Sequence, residues 1–255
     1  MSYEKGMLED FDTFIFDWDG TITTGTFLRK LNERINPIWN YRKKRGKESV
    51  DNFAENIPKN MNTVRGKEIR SHIMNKERES SFITSLIDLS IYFMKPRLHS
   101  CARDLISKLD GSGKDLALFT NGALYRIMKE VSYLNLEKYF TIIISAQDIK
   151  SLKPSPLGLQ LIMKALGAKK SSTLYIGDMV GDIEAAKYAG ISSCAISNGF
   201  SSIESLRAAF PDYLFGSIEE LDRELYGHAK AGQNGAKRLR KAYKYRQRKF
   251  YEYTK

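Results

Sequence analysis

Strand-like and helical segments alternate along most of this 255-residue chain, and that alternation is the strongest constraint on its fold. Short apolar runs predict strands, whereas longer segments with apolar residues every three or four positions predict helices. The predicted strands are 13–16, 116–120, 141–145, 173–176, 193–196 and 213–215, and the predicted helices are 102–109, 124–134, 156–166, 183–189 and 203–209. This order predicts an α/β fold, a doubly wound parallel sheet with helices on both faces.

Residues 22–97 interrupt the alternation between the first and second predicted strands. This segment shows no clear strand pattern, whereas helical spacing of apolar residues is visible in 27–35 and 67–93. We therefore predict three parts: an α/β core formed by residues 1–21 and 98–227, a small helical domain at 22–97, and a tail at 228–255.

Four aspartates stand where two of the predicted strands end: Asp17 and Asp19 after the first, and Asp178 and Asp182 after the fourth. The carboxyl ends of parallel strands lie at one edge of a sheet, so we expect these side chains and Thr120 to converge there. Carboxylates that converge repel one another unless a cation lies among them. The cysteines and histidines show no zinc-ligand spacing, so the metal ligands would be oxygens. So few protein oxygens leave coordination positions for water and phosphate, which favours Mg²⁺ over Ca²⁺.

Four short motifs follow the predicted strands in the order typical of one enzyme superfamily. They are Asp17-Trp18-Asp19-Gly20-Thr21, Thr120-Asn121-Gly122, Lys153-Pro154-Ser155-Pro156, and Gly177-Asp178 followed by Asp182. With these motifs the chain resembles the haloacid dehalogenase superfamily, specifically its phosphoglycolate phosphatase-like phosphatases, over residues 12–215 apart from the insertion. The resemblance implies a Rossmann-like core with a helical cap at 22–97.

The resemblance also implies roles for the aspartates. Asp17 would attack phosphorus and form an aspartyl phosphate, which divides hydrolysis into two displacements. Asp19 shares the side of Asp17 in an extended segment, and it would protonate the leaving oxygen and later activate water. The Thr21 hydroxyl could orient Asp19, and a pure turn role for Gly20 and Thr21 is an equal alternative. All four aspartates, namely Asp17, Asp19, Asp178 and Asp182, would hold Mg²⁺.

A second group, Thr120, Asn121, Gly122 and Lys153, would bind the transferring phosphoryl group, and Thr120 and Lys153 would also act in catalysis. Hydroxyl, amide and backbone donors suit the non-bridging oxygens, and an ammonium offsets the charge of a nucleophilic carboxylate. Two alternatives stay open. Thr120 and Asn121 could instead cap the following helix, and Lys153 could be a solvated surface lysine.

Together these assignments predict a Mg²⁺-dependent phosphatase of small phosphate monoesters, such as phosphoglycolate, sugar phosphates or mononucleotides. Asp19 argues against a dehalogenase, because dehalogenases of the superfamily lack an acid at that position. A phosphomutase keeps both aspartates of the first motif and is an alternative. A protein that binds nucleic acid or another acidic surface on the same fold is a further alternative.

Basic residues are concentrated outside the predicted core. Residues 22–97 contain 16 basic and 8 acidic side chains and 228–255 contain 10 and 1, whereas 98–227 contain 14 and 15. Basic residues of the insertion, such as 42–45, could attract anionic substrates, although a solvated loop is favoured. The tail mixes basic and aromatic residues that could contact nucleic acid, although a packed or solvated tail is favoured. Without a membrane-length apolar run or a signal peptide, the expected location is the cytoplasm.

Overall fold

The computed structural model describes residues 7–24, 95–146, 149 and 151–226. Apart from its two ends, the helical domain predicted at 22–97 lies outside these residues, as does the tail predicted at 228–255. The division into core, cap and tail therefore stays a prediction.

Six parallel strands form one sheet, and this confirms the predicted fold class. They are β1 (Thr13–Phe16), β2 (Asp115–Thr120), β3 (Ile142–Ser145), β4 (Thr173–Gly177), β5 (Ser192–Ile196) and β6 (Tyr213–Phe215), in the order β3-β2-β1-β4-β5-β6. Strand β1 is central, because Phe16 is in register with Leu118 of β2 and with Ile176 of β4. The ends of these three strands therefore lie side by side.

The described residues form seven α-helices. They are α1 (Met7–Asp10), α2 (Ala102–Gly111), α3 (Leu124–Tyr133), α4 (Leu157–Leu166), α5 (Val180–Ala189), α6 (Ile203–Ala208) and α7 (Ile218–Tyr226). All five predicted helices are present. Helix α7 was not predicted, although its buried residues Ile218, Leu221 and Leu225 have helical spacing.

Helix α5 begins three residues before the predicted start at 183. Its first turn, Val180-Gly181-Asp182, carries no apolar repeat, which is why periodicity alone misses it. The Asp182 carboxylate accepts a hydrogen bond from the Met179 backbone N–H at 2.9 Å, and so pairs a donor that precedes the first turn. This bond also fixes the Asp182 side chain at the start of the helix.

Two apolar layers cover the two faces of the sheet. Alternate residues of β1 point to opposite faces: Phe14 and Phe16 pack in one layer with residues of α2, α3 and α7, and Ile15 packs in the other with residues of α4 and α5. All four β1 side chains are buried, which explains why this strand is a continuous apolar run. Because β1 is packed on both faces, the position of the residues that directly follow it is fixed.

The chain leaves the core and returns to it at adjacent positions. The Thr24 backbone N–H donates to the Arg97 carbonyl at 3.0 Å, and the His99 N–H donates to the Ile22 carbonyl at 2.9 Å. An antiparallel bridge joins Thr23 to Leu98 between these bonds. The insertion thus leaves the core a few residues after the end of β1. None of the helices described has the length and hydropathy needed to cross a bilayer.

Candidate active site

Three of the residues singled out from the sequence lie at neighbouring strand ends. Asp17 directly follows β1, Thr120 is the last residue of β2, and Asp178 directly follows β4. The Asp17 backbone N–H donates to the Ile176 carbonyl at 2.8 Å, so the β1–β4 pairing continues to Asp17. All three side chains are buried. The structure therefore brings these residues together at the carboxyl edge of the sheet.

Lys153 lies between two of the aspartates. Its Nζ is 2.7 Å from Asp17 Oδ1 and 2.6 Å from Asp182 Oδ1, and it donates to the Tyr175 hydroxyl at 3.0 Å. The side chain is only 5% exposed, so it is not a solvated surface lysine. We call Asp17, Lys153, Tyr175 and Asp182 the lysine cluster.

The lysine cluster keeps its ammonium charged. Burial alone would lower the pKa of Lys153, but the carboxylates of Asp17 and Asp182 outweigh burial and raise it. Burial, reinforced by Asp182, raises the pKa of the Tyr175 phenol well above its ordinary value. The phenol is therefore neutral, and its oxygen lies 3.0 Å from Asp182 Oδ1 and 3.1 Å from the Phe119 carbonyl.

The turn after β2 is ordered by its own polar groups. Thr120 Oγ1 accepts a hydrogen bond from the Gly122 backbone N–H at 3.0 Å, and Asn121 Oδ1 accepts one from the Lys153 N–H at 3.1 Å. Ser145 Oγ donates to the Gly122 carbonyl at 2.7 Å. Neither Thr120 nor Asn121 is the N-cap of α3, whose N-cap residue is Ala123. Asn121 thus places the Lys153 backbone beside β2, and phosphate binding by this turn stays a prediction.

Asp178 is held by donors from two other loops. Its Oδ1 accepts from the Thr21 hydroxyl at 2.9 Å, and its Oδ2 accepts from the Phe200 backbone N–H at 2.7 Å. The expectation that Thr21 orients Asp19 is wrong, since this hydroxyl bonds Asp178. Gly20 has φ of +86°, and a Cβ there would overlap Asp178 Oδ2 and the Phe200 ring. The tight turn at Gly20 is what brings Thr21 to Asp178.

Three carboxylates could share one metal ion. Oxygens of Asp17, Asp178 and Asp182 lie within 4.8 Å of one another, and all three side chains are buried. Hard oxygen ligands of this kind suit Mg²⁺. Three carboxylates beside one ammonium leave two negative charges in excess, which a divalent cation would balance. The residues present therefore fit the metal. Asp19, also predicted as a ligand, is not in this group.

The Asp19 carboxylate is instead paired with a guanidinium from helix α3. Arg126 Nη1 lies 3.0 Å from Asp19 Oδ1, and Arg126 Nη2 lies 2.5 Å from Asp19 Oδ2. Arg126 Nη1 also contacts the two oxygens of Glu130 at 2.9 and 3.0 Å. The indole N–H of Trp18 donates to Glu130 Oε2 at 2.6 Å. We call Trp18, Asp19, Arg126 and Glu130 the arginine cluster.

Burial shapes the charges of the arginine cluster as well. It raises the pKa of Glu130, which is 1% exposed, and the Arg126 charge partly offsets that rise. Burial opposes the charge on Arg126, but the carboxylates of Asp19 and Glu130 outweigh it and raise the guanidinium pKa above its ordinary value. The guanidinium therefore stays charged beside Asp19.

Sequence reasoning missed Arg126, Glu130 and the hydrogen bond made by Trp18. One signal was available: Glu130 lies on the apolar stripe of α3, three residues after buried Ile127 and next to buried Val131. A charged residue on a buried helical face needs a partner, and Arg126 precedes it by one turn. That the same guanidinium reaches Asp19 follows only from the packing of α3 against the end of β1.

Comparisons with known proteins agree with this geometry. Residues 11–190 match the model of the haloacid dehalogenase-like hydrolase family, and the chain therefore belongs to that family. Phosphoglycolate phosphatase from Salmonella choleraesuis strain SC-B67 is 32% identical over 118 residues, or 46% of this chain and 47% of that protein. The chain thus spans about half the length of the curated relatives it matches.

Solved structures with the same fold are more distant in sequence. CbbY from Rhodobacter sphaeroides, in complex with phosphate, superposes with a TM-score of 0.57 at 19% identity, covering 83% of this chain and 96% of that one. A predicted phosphoglycolate phosphatase from Haemophilus somnus 129PT has the same TM-score and coverage at 18% identity. These similarities confirm the fold, and the family match confirms the resemblance found in the sequence.

Proposed function

We propose that this protein is a Mg²⁺-dependent phosphatase that hydrolyses small phosphate monoesters through an aspartyl-phosphate intermediate. One observation carries the proposal. A buried carboxylate at the end of the central strand, Asp17, faces an ammonium at 2.7 Å, and a second aspartate follows two residues later. A nucleophile, a cation to balance it and an acid–base group are the parts that this reaction needs.

In the first half of the reaction an Asp17 oxygen attacks phosphorus, the P–O bond to the leaving group breaks, and a proton from Asp19 passes to the leaving oxygen. In the second half, water gives a proton to Asp19 and its oxygen attacks the phosphoryl group, which releases Asp17. Lys153 holds the Asp17 carboxylate in place and offsets negative charge on the phosphoryl oxygens. Thr120, Asn121 and Gly122 form the turn nearest these groups and would donate to the same oxygens.

A metal ion would be held by Asp17, Asp178 and Asp182, with Asp19 as the further predicted ligand. When bound, Mg²⁺ supplies positive charge next to the transferring phosphoryl group. The substrates we propose are of the phosphoglycolate, sugar phosphate or mononucleotide class. The first of these classes is supported by relatives named phosphoglycolate phosphatase, which match this chain over about half of their own length. A cytoplasmic location and a solvated or packed tail that does not bind nucleic acid stay predictions of the sequence.

Phosphate release from p-nitrophenyl phosphate and from a panel of natural phosphate esters, with and without Mg²⁺, tests the proposal. The variant Asp17→Asn should lose at least ~10⁴-fold in kcat, because it lacks the nucleophile. Asp110→Asn, at an exposed position of α2, is the matched control and should keep full activity. Substantial turnover by Asp17→Asn would refute the nucleophile. Transfer of phosphate within a sugar without its release would identify a phosphomutase.

A further inference from the structure

The arginine cluster forms a closed ring of contacts around the proposed acid–base residue. Asp19 is joined to Arg126 through both carboxylate oxygens, Arg126 to Glu130, and Glu130 to the indole of Trp18, which precedes Asp19 in the chain. Two parallel contacts to one carboxylate fix both its position and its plane. The Asp19 carboxylate cannot rotate while both of its oxygens contact the guanidinium.

The ring is also rigid at each corner. Trp18 is fully buried and Glu130 is 1% exposed, so neither side chain has room to change its rotamer without disturbing the core. Arg126 is 14% exposed, and its guanidinium lies against Gly122, where an added Cβ would overlap Nη2. Gly122, in the turn after β2, thus leaves the space that the guanidinium occupies.

We propose that Arg126 is a positioning residue for Asp19, and that Glu130 holds Arg126 in its productive orientation. This inference rests on the proposed function, since it assigns Arg126 to the proton transfers made by Asp19. Arg126 acts through Asp19: when one oxygen of Asp19 carries the proton, the other still accepts from the guanidinium and holds the carboxyl in place. Lys153, by contrast, contacts Asp17 directly. Loss of Arg126 should therefore impair protonation of the leaving oxygen and leave attack by Asp17 intact.

Leaving groups of different basicity separate these two effects. A nitrophenolate departs without help from an acid, whereas an alkoxide must be protonated as it leaves. The ratio kcat/KM covers steps up to loss of the leaving group, so it omits the later attack by water. A defect in positioning Asp19 should thus lower kcat/KM for alkyl phosphates much more than for p-nitrophenyl phosphate.

The experiment compares kcat/KM for p-nitrophenyl phosphate and for the best alkyl phosphate of the panel. Arg126→Met should lose on the order of 10- to 100-fold with the alkyl phosphate and less than about 3-fold with the aryl phosphate. Arg126→Lys keeps the positive charge but cannot make two parallel contacts to the Asp19 carboxylate. Its loss of kcat/KM with the alkyl phosphate should therefore lie between wild type and Arg126→Met. Arg207→Met, at an exposed position of α6, is the matched control, and its ratio should match wild type.

Equal losses with both substrates, or no loss with either, would overturn the positioning role. Arg126→Met leaves the buried Glu130 carboxylate without its cation, so folding is checked by far-UV circular dichroism. If that variant unfolds, Arg126→Met combined with Glu130→Gln removes both charges and is judged by the same ratio. A wild-type protein that hydrolyses neither substrate would refute the proposed function itself, whereas an active wild type with equal losses in the variants refutes only the role of Arg126.

Discussion

The two charged clusters at the end of β1 are both buried, yet they are built differently. The lysine cluster joins four segments: the end of β1, the loop that carries Lys153, strand β4 through Tyr175, and the first turn of α5. The arginine cluster joins one loop to one helix, and its ring closes through the peptide between Trp18 and Asp19. The Lys153 ammonium therefore holds several separate segments together, whereas the Arg126 guanidinium joins a single loop to its own helix.

This difference predicts unequal consequences when a member is removed. A buried carboxylate that loses its cation keeps its charge in an apolar setting, and the energetic penalty grows with the number of carboxylates left unpaired. Lys153 serves two aspartates that a metal would also contact. The donor at the far end of the arginine cluster, the indole of Trp18, serves one oxygen of a carboxylate that Arg126 also contacts.

The largest effect is expected for Lys153→Met measured in the presence of a chelator. Because Asp17 and Asp182 then face each other without a cation, the free energy of unfolding should fall by about 3 to 5 kcal/mol. Urea denaturation followed by circular dichroism measures this loss. Lys164→Met, at an exposed position of α4, controls for the change from lysine to methionine. If both variants have the same stability, the cluster does not depend on Lys153.

A smaller effect is expected for Trp18→Phe, which removes the indole N–H from Glu130. Glu130 Oε2 then keeps only its contact with Arg126, so the free energy of unfolding should fall by about 1 to 3 kcal/mol, of which part is lost packing. A double-mutant cycle with Glu130→Gln isolates the hydrogen bond, because the packing loss occurs in both backgrounds. A coupling energy near zero would show that the hydrogen bond between Trp18 and Glu130 contributes nothing to stability. The ring of contacts in the arginine cluster would then be geometric only, unlike the ion pairs of the lysine cluster.

The two clusters also differ in how far the sequence predicts them. The sequence motifs predict that Asp17, Lys153 and Asp182 lie near the site, because the strand ends and the order of the motifs fix their neighbourhood. Tyr175 was assigned only to its strand. Its side chain points to the face opposite Phe14 and Phe16, and strand alternation cannot say that its hydroxyl reaches the lysine.

The arginine cluster shows what local patterns leave undetermined. Whether Arg126 pairs only with Glu130 or reaches further depends on the distance between α3 and β1, which packing sets. The same limit explains why Thr21 was assigned to the wrong aspartate: the left-handed turn at Gly20 redirects the chain, and neighbouring positions in sequence no longer predict neighbouring side chains. The fold, by contrast, follows from apolar patterns repeated over whole elements, and among the described α-helices these patterns did not predict α7 and the four-residue α1.

The smallest predicted effect concerns a half-buried titratable group, His99. His99 lies where the chain returns to the core, near Gly20, and burial lowers its pKa from the ordinary 6.5 while Gly20 and Glu219 oppose the shift. The unfolded chain therefore binds a proton at a higher pH than the folded protein does. Stability should be fully present above about pH 6.5 and decline as pH falls toward the folded-state pKa. His99→Gln should flatten this decline in urea unfolding measured between about pH 7.5 and 5.5. If stability falls with pH as steeply in His99→Gln as in wild type, protonation of His99 costs no stability. The imidazolium charge near Gly20 would then be balanced by its surroundings, as the charges of the two clusters are.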